Sequence, residues 1–171
     1  MREKLARQAT ALVELCRARQ MMMTVAESCT GGLLGAYITH IPGASDVFDR
    51  GFVTYSNDAK RDLLGVDQEM LDEYGAVSRE VVLSMAAGSL WRSKATISAA
   101  ITGIAGPGGD SEEKPIGLVH FAVAKRRSVS TEQLDFGAIH HEARFGDIGR
   151  SEIREESVAV ALMLLRQAVD L

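Results

Sequence analysis

The sequence predicts an α/β fold, a three-layer α/β/α sandwich around a mixed sheet of about five strands. Apolar runs that fit buried strands alternate with helical patterns early in the chain, and two such runs follow one another near its end. With 171 residues, 46% of them hydrophobic, the chain can bury one sizeable core and is barely long enough for two. We therefore expect residues 1–171 to form a single domain.

The first third is expected to fold as helix, strand, glycine turn and helix. Apolar residues recur at helical spacing over 3–19, which predicts a helix that buries one face. The run MMMTVA at 21–26 fits a buried strand. After the polar break ESCTGG the pattern is helical over 33–40, and GFVTY at 51–55 fits a second strand.

The middle third contains three helix signals. Asn57 or Asp58 can cap one helix, and Gly75 closes a short second helix. Ser78 is a suitable N-cap for the third, because its hydroxyl can accept an N–H of the first turn. Together with the final helix, the expected helices cover 3–19, 33–40, 58–64, 68–74, 79–91 and 151–168.

The last third supplies the remaining strands. A strand of small residues ends in the glycine-rich segment TGIAGPGGD. The last two strands are separated only by the polar residues KRRS, which is typical of an antiparallel hairpin. The five expected strands cover 21–26, 51–55, 95–101, 116–125 and 129–136.

Composition excludes several function classes. Nineteen basic and 23 acidic residues give a net charge of −4, which argues against broad nucleic-acid binding driven by charge. Two cysteines are too few for a disulfide framework or a zinc site, and His, Cys and Asp do not cluster at metal-ligand spacing. No apolar run approaches the ~20 residues of a membrane span. We expect a soluble cytoplasmic protein with no membrane partner and no metal.

Two glycine-rich turns are the candidate ligand-binding segments. Each follows a predicted strand, and ligands of parallel sheets lie beyond the carboxyl ends of the strands, so the turns could border one pocket. In the first turn, Ser28 precedes Gly31 and Gly32 at the opening of a helix, whose free N–H groups can hold an anion or an oxyanion. The alternative is that Ser28 or Thr30 simply caps that helix. The second turn could wrap a ligand with its amides.

A serine nucleophile needs a base, and no histidine has an obvious triad context. His120 lies in a strand pattern and is interpreted as a core residue, whereas His140 and His141 lie in a polar stretch interpreted as a solvated loop. A lysine can replace histidine if burial lowers its pKa. Lys60 is the candidate, with an ordinary surface lysine as the alternative interpretation.

Several segments in this order resemble the CinA C-terminal domain family. They are TVAESCTGG at 24–32, GFVTYSNDAK at 51–60, GAVS at 75–78, and TGIAGPGG followed by SEEKP at 102–115. The resemblance covers nearly the whole chain. It implies hydrolysis of nicotinamide mononucleotide (NMN) to nicotinate mononucleotide and ammonia by a Ser/Lys dyad, without metal or cofactor, in pyridine nucleotide salvage.

The resemblance also implies a set of site residues. The nucleophile is Ser28 or Ser45, both within family motifs, and we favour Ser28; Ser45 could instead cap a helix entering Val47. Lys60 is the base, and Tyr55 could tune the lysine or the serine by hydrogen bonding. The stretch before the last helix departs from the family pattern in its spacing, so the phosphate ligand is first Arg150 and otherwise Arg154. The residues expected to bind substrate are Glu27, Thr30, Gly31, Gly32, Thr102, Gly103, Arg150 and Arg154.

Two other interpretations remain open from sequence. The chain could be a non-catalytic nucleotide-binding module, or a regulatory module associated with competence or DNA damage, since a domain can keep a pocket and lose its chemistry. Cys29 could also be the nucleophile in place of a serine. We expect NMN as the small-molecule partner and a homo-oligomer, in which an arginine could reach across the interface.

Overall fold

A computed structural model describes residues 2–126 and 136–170. Its helices are α1 Glu3–Ala18, α2 Leu33–Thr39, α3 Asn57–Leu64, α4 Gln68–Tyr74, α5 Arg79–Trp91 and α6 Arg150–Asp170. Its strands are β1 Met23–Glu27, β2 Phe48–Val53, β3 Ile97–Gly103, β4 Leu118–Arg126 and β5 Phe136–Arg144, and a short 3₁₀ helix covers Ala44–Asp46.

The strands form one mixed sheet in the order β2-β1-β3-β4-β5. The central strand β1 is parallel to β2 and to β3, whereas β4 is antiparallel to β3 and to β5. Helices α1, α2 and α6 cover one face, and α3, α4 and α5 cover the other. The predicted three-layer sandwich with a mixed five-stranded sheet is therefore confirmed.

The two faces of the sheet differ in side-chain size. Toward α5 the buried apolar side chains of the sheet are all alanine, namely Ala26, Ala100, Ala122 and Ala124. Small side chains let α5 lie close to the strands. The opposite face carries larger side chains such as Phe121, and each fully buried group of this size contributes roughly 1.5–3 kcal/mol to folding.

Near the C-terminus, two sequence predictions need correction. The strand expected at 129–136 lies almost entirely outside the described residues, and the observed partner of β4 is β5. His140 and His141 are therefore in a strand, not in a solvated loop. This edge strand is half exposed and polar, so its sequence lacks an apolar strand signal. His120 is buried as expected, and its Nδ1 lies 3.0 Å from Nε2 of His140.

Two cap predictions are also wrong. Helix α3 is capped by Ser56, whose Oγ accepts the N–H of Ala59 at 3.0 Å, and not by Asn57 or Asp58. Ser45 caps no helix, because it lies within the short 3₁₀ helix that leads into β2. Ser78 caps α5 as predicted, accepting the N–H of Val81.

Parallel pairing brings three strand ends to one edge of the sheet. Glu27, the last residue of β1, pairs with Val53 on β2 and with Ile101 on β3. The segments that follow these strands therefore start side by side. No helix in the described part of the chain has the length and apolar character needed to cross a membrane.

Gly88 permits a close contact between α5 and the end of α3. A Cβ at this position would lie 2.0 Å from the carbonyl oxygen of Leu64 at the end of α3. That oxygen belongs to the backbone, so only a shift of one helix could relieve the overlap.

We expect Gly88→Ala to lower the free energy of unfolding by about 1–3 kcal/mol or more, because overpacking forces α3 and α5 apart. Urea denaturation measures the change. Gly35→Ala on α2 is the matched control, since its Cβ would meet Glu27 Oε1 only at an ordinary 3.5 Å. A wild-type urea midpoint for Gly88→Ala would contradict the tight α3–α5 contact.

Candidate active site

The two glycine-rich turns border one cavity of about 260 Å³, as the strand order predicts. Ser28 comes from the turn after β1, and Gly103 and Gly106 come from the turn after β3. Tyr55 follows β2, and Arg150 begins α6. The cavity thus lies beyond the carboxyl ends of the three parallel strands, where α/β sheets bind ligands.

Ser28 and Lys60 are in direct contact at the cavity. Lys60 Nζ lies 3.1 Å from Ser28 Oγ and donates to the carbonyl oxygen of Thr54 at 2.9 Å. The lysine is only 1% exposed, and this burial lowers its pKa. A neutral amine held by an N–H to Thr54 can turn its lone pair toward the Ser28 hydroxyl. This arrangement is one in which a serine can act as a nucleophile with a lysine as its base.

Ser45 is not brought to this cavity. It is exposed and precedes β2, so it lies at the opposite end of that strand from Tyr55. A strand of six residues spans about 20 Å. Ser45 lines a separate surface depression with Pro42 and Phe48, away from the Ser28–Lys60 contact.

Glu27 anchors helix α2 and is not among the residues that line the cavity. Its side chain is 1% exposed. Oε2 accepts the N–H groups of Gly32 and Leu34 at 3.1 and 3.0 Å, and Oε1 accepts that of Gly35 at 2.8 Å. The carboxylate thus caps the helix in place of Ser28 or Thr30, which leaves the Ser28 hydroxyl free for chemistry.

The amides expected to form the oxyanion hole are already bonded. Gly31 donates its N–H to the carbonyl of Ser28 at 3.0 Å, and Gly32 donates to Glu27. Within the described residues, the N–H groups of Cys29 and Ala105 donate no hydrogen bond, and both residues line the cavity. These two amides are the candidates for the oxyanion role.

Thr30 and Thr102 contribute to the walls rather than to the lining. Thr30 is fully buried, and its Oγ1 has no partner in the described part of the protein. Thr102 is also fully buried, and its hydroxyl donates to the carbonyl of Ala76 at 2.8 Å. Gly103 lines the cavity, where a Cβ would approach Val119 to 2.7 Å.

The two candidate arginines have different contacts. Arg150 lines the cavity, and its two Nη atoms donate to the carbonyl of Gly106 and to the Tyr55 hydroxyl, each at 2.6 Å. Arg154, one turn later on α6, donates to the carbonyl of Thr30 at 2.8 Å. Arg150 can therefore contact a ligand in the cavity. Arg154 does not line the cavity and instead stabilises the turn that follows Ser28. The Tyr55 hydroxyl is bonded to Arg150 and not to Lys60 or Ser28.

Cys29 is a poor nucleophile although it lines the cavity. It is 6% exposed, and burial raises the pKa of its thiol to about 12. Only a thiolate attacks effectively, and little thiolate forms at neutral pH with such a pKa. In the part of the chain that the structure describes, no group of three or more His, Cys, Asp or Glu side chains is arranged to hold a metal.

Three features of the site were not predicted from the sequence. They are the carbonyl of Thr54, which orients Lys60, the carboxylate of Glu27, which caps α2, and Val77 in the cavity wall. The first two act through contacts between separate elements, and no local pattern marks them. Val77 lies in the GAVS segment, so the motif itself was the available signal.

The sequence matches a known family and several curated proteins. A model of the CinA C-terminal domain matches residues 5–169. The nicotinamide-nucleotide amidohydrolase PncC of Escherichia coli is 46% identical over 151 residues, which are 88% of this chain and 86% of that protein. A protein from Caldicellulosiruptor bescii is 44% identical over 158 residues, which are 92% of this chain but 36% of that protein. The chain thus spans only about a third of the length of some curated relatives.

A solved structure agrees closely with the fold. The competence/damage inducible protein CihA from Agrobacterium tumefaciens superposes with a TM-score of 0.92 at 48% sequence identity. The match covers 100% of this chain and 98% of that one.

Proposed function

The chain belongs to the CinA C-terminal domain family, and we propose that it is an amidohydrolase that converts NMN to nicotinate mononucleotide and ammonia. The relative from E. coli that is named for this activity matches along most of both chains. The observation that carries the proposal is the 3.1 Å contact between buried Lys60 and Ser28 in the cavity wall. A buried lysine with a lowered pKa beside a serine hydroxyl favours a catalytic role over nucleotide binding alone.

The first half of the reaction acylates Ser28. Neutral Lys60 takes the hydroxyl proton, and the Ser28 oxygen attacks the carboxamide carbon, forming a C–O bond and a tetrahedral oxyanion. The free amides of Cys29 and Ala105 stabilise that charge, each by about 3 kcal/mol. The C–N bond then breaks, the leaving nitrogen takes the proton from Lys60, and ammonia departs.

The second half releases the product. Water gives a proton to Lys60 and attacks the ester carbon of the acyl-enzyme. The bond to Ser28 breaks, and Lys60 returns the proton to the serine oxygen. Nicotinate mononucleotide leaves, and both side chains regain their starting states. One lysine thus serves as base and acid in each half, which requires a pKa that is not far above the working pH.

The phosphate of NMN is bound by Arg150. Arginine offers two parallel donors that match phosphate geometry. The N–H groups of Gly108 and Gly109, which donate no hydrogen bond within the described residues, add neutral donors next to it in the cavity wall. Arg150 uses only two of its five N–H groups for Gly106 and Tyr55, so the others are available to the phosphate.

Ser28→Ala and Lys60→Met are each expected to lower kcat about 10³-fold or more, because either change removes the dyad. Methionine fills the lysine site without an amine and should preserve the fold, which a melting curve checks. Ammonia release from NMN is the assay. Ser45→Ala is the matched control and should keep most of the wild-type rate. Wild-type turnover by both dyad variants would refute the mechanism, and an inactive wild type with bound NMN would favour the binding-module alternative.

The pH dependence of kcat/KM measures the pKa of the catalytic base in the free enzyme. Only neutral Lys60 accepts the serine proton, so kcat/KM should rise with pH through the pKa of Lys60. Burial lowers that pKa, so the midpoint should fall below the ordinary lysine value of about 10.4. Steady-state rates between pH 6 and 10 measure it. A rate that does not change over this range, or one that falls as pH rises, would contradict a lysine base.

Arg150→Met should raise KM for NMN roughly 10–100-fold, the loss expected for a hydrogen bond to a charged group. KM for nicotinamide riboside, which lacks the phosphate, should change little. Arg154→Met is the comparison variant, because it alters the Ser28 turn and should lower kcat for both substrates alike. An equal KM increase for NMN and the riboside in Arg150→Met would show that Arg150 does not bind phosphate.

A further inference from the structure

Tyr55 is the aromatic side chain of the cavity. Among the described residues that line the cavity, no other is aromatic. Its side chain is 60% exposed, so part of the ring surface is uncovered. An exposed aromatic ring inside a ligand cavity can stack on a flat ligand.

The Tyr55 ring is held by its edge. Its hydroxyl accepts a hydrogen bond from Arg150 Nη2 at 2.6 Å, and the same guanidinium is fixed by Gly106 through Nη1. A bond to the hydroxyl lies at the rim of the ring and leaves the faces available. The ring is therefore oriented before a ligand arrives, which reduces the entropy lost on binding.

Strand register places Tyr55 next to the nucleophile. Glu27 and Val53 are paired residues on the parallel strands β1 and β2, which lie about 4.8 Å apart. Ser28 follows the first directly, and Tyr55 follows the second by two residues. A carboxamide carbon at Ser28 is bonded directly to its pyridine ring, so that ring enters the cavity that Tyr55 also lines.

The pyridine ring of NMN is a cation, and the cavity offers it no carboxylate. The described lining includes no Asp or Glu, and the nearby carboxylate of Glu27 is occupied by three amides of α2. The one charged side chain in the lining is Arg150, which repels a cation. The face of an aromatic ring is the remaining group that attracts a positive charge.

We propose that the Tyr55 ring stacks on the pyridinium ring of the substrate and selects cationic over neutral rings. This inference rests on the proposed function, because it takes NMN as the ligand. It assigns Tyr55 to substrate binding instead of to proton transfer.

The test compares two ligands that differ mainly in ring charge, NMN and its reduced dihydro form. Calorimetric titration is done in a Ser28→Ala background, where NMN stays intact. We expect Tyr55→Leu to weaken NMN binding roughly tenfold and binding of the reduced form less than about twofold. Tyr55→Phe keeps the ring and should retain the preference for the cation, although it loses the bond to Arg150.

Tyr74→Leu is the matched control, since Tyr74 is 40% exposed outside the cavity lining, and it should bind both ligands as the background does. Equal weakening of both ligands by Tyr55→Leu, no weakening of either, or no measurable NMN binding to the background protein would overturn the inference. Ammonia release by the wild type is measured separately. If no ammonia forms but Tyr55→Leu still weakens NMN selectively, the proposed reaction fails and the inference about Tyr55 stands.

Discussion

The buried carboxylate of Glu27 holds together the edge of the sheet at which the cavity forms. A carboxylate without water is costly unless hydrogen bonds replace its hydration. Here three N–H groups and the positive end of α2 provide that replacement. The same residue accepts the N–H of Thr54 through its carbonyl at 2.8 Å. Glu27 thus fixes both the helix that follows Ser28 and the segment that orients Lys60.

A chain of contacts leads from this residue to Lys60 and Ser28. The carbonyl of Thr54 accepts from Lys60, whose Nζ contacts Ser28, and Ser28 is the covalent neighbour of Glu27. The contacts close into a ring of four residues. At Lys60, burial outweighs charge attraction and lowers the pKa of the amine. The fold itself thereby favours the neutral amine.

The sequence was sufficient to predict features that depend on the succession of neighbouring elements along the chain. Strand, glycine turn and helix appear in succession around Ser28, and parallel pairing then brings the second glycine-rich turn alongside. Placing Ser28 at the cavity and Ser45 away from it needed strand direction, because both serines lie in family motifs and only one follows a strand end. The hydrogen bonds of the Gly31 and Gly32 amides could not be predicted from the sequence, since they depend on the direction of the Glu27 side chain after the strand. The edge strand β5 was missed because a half-exposed polar strand carries no apolar periodicity.

Helix α6 completes the cavity although it comes last in the chain. Its first turn carries Arg150, which holds the second glycine-rich turn through Gly106, and its next turn carries Arg154, which holds the first turn through Thr30. Residues four apart on a helix lie on the same side, so one rigid element sets the spacing between two loops that are far apart in sequence. The turn that carries Ser28 and the second glycine-rich turn are therefore both held by α6. The shape of the cavity is consequently a property of the whole folded chain rather than of either motif.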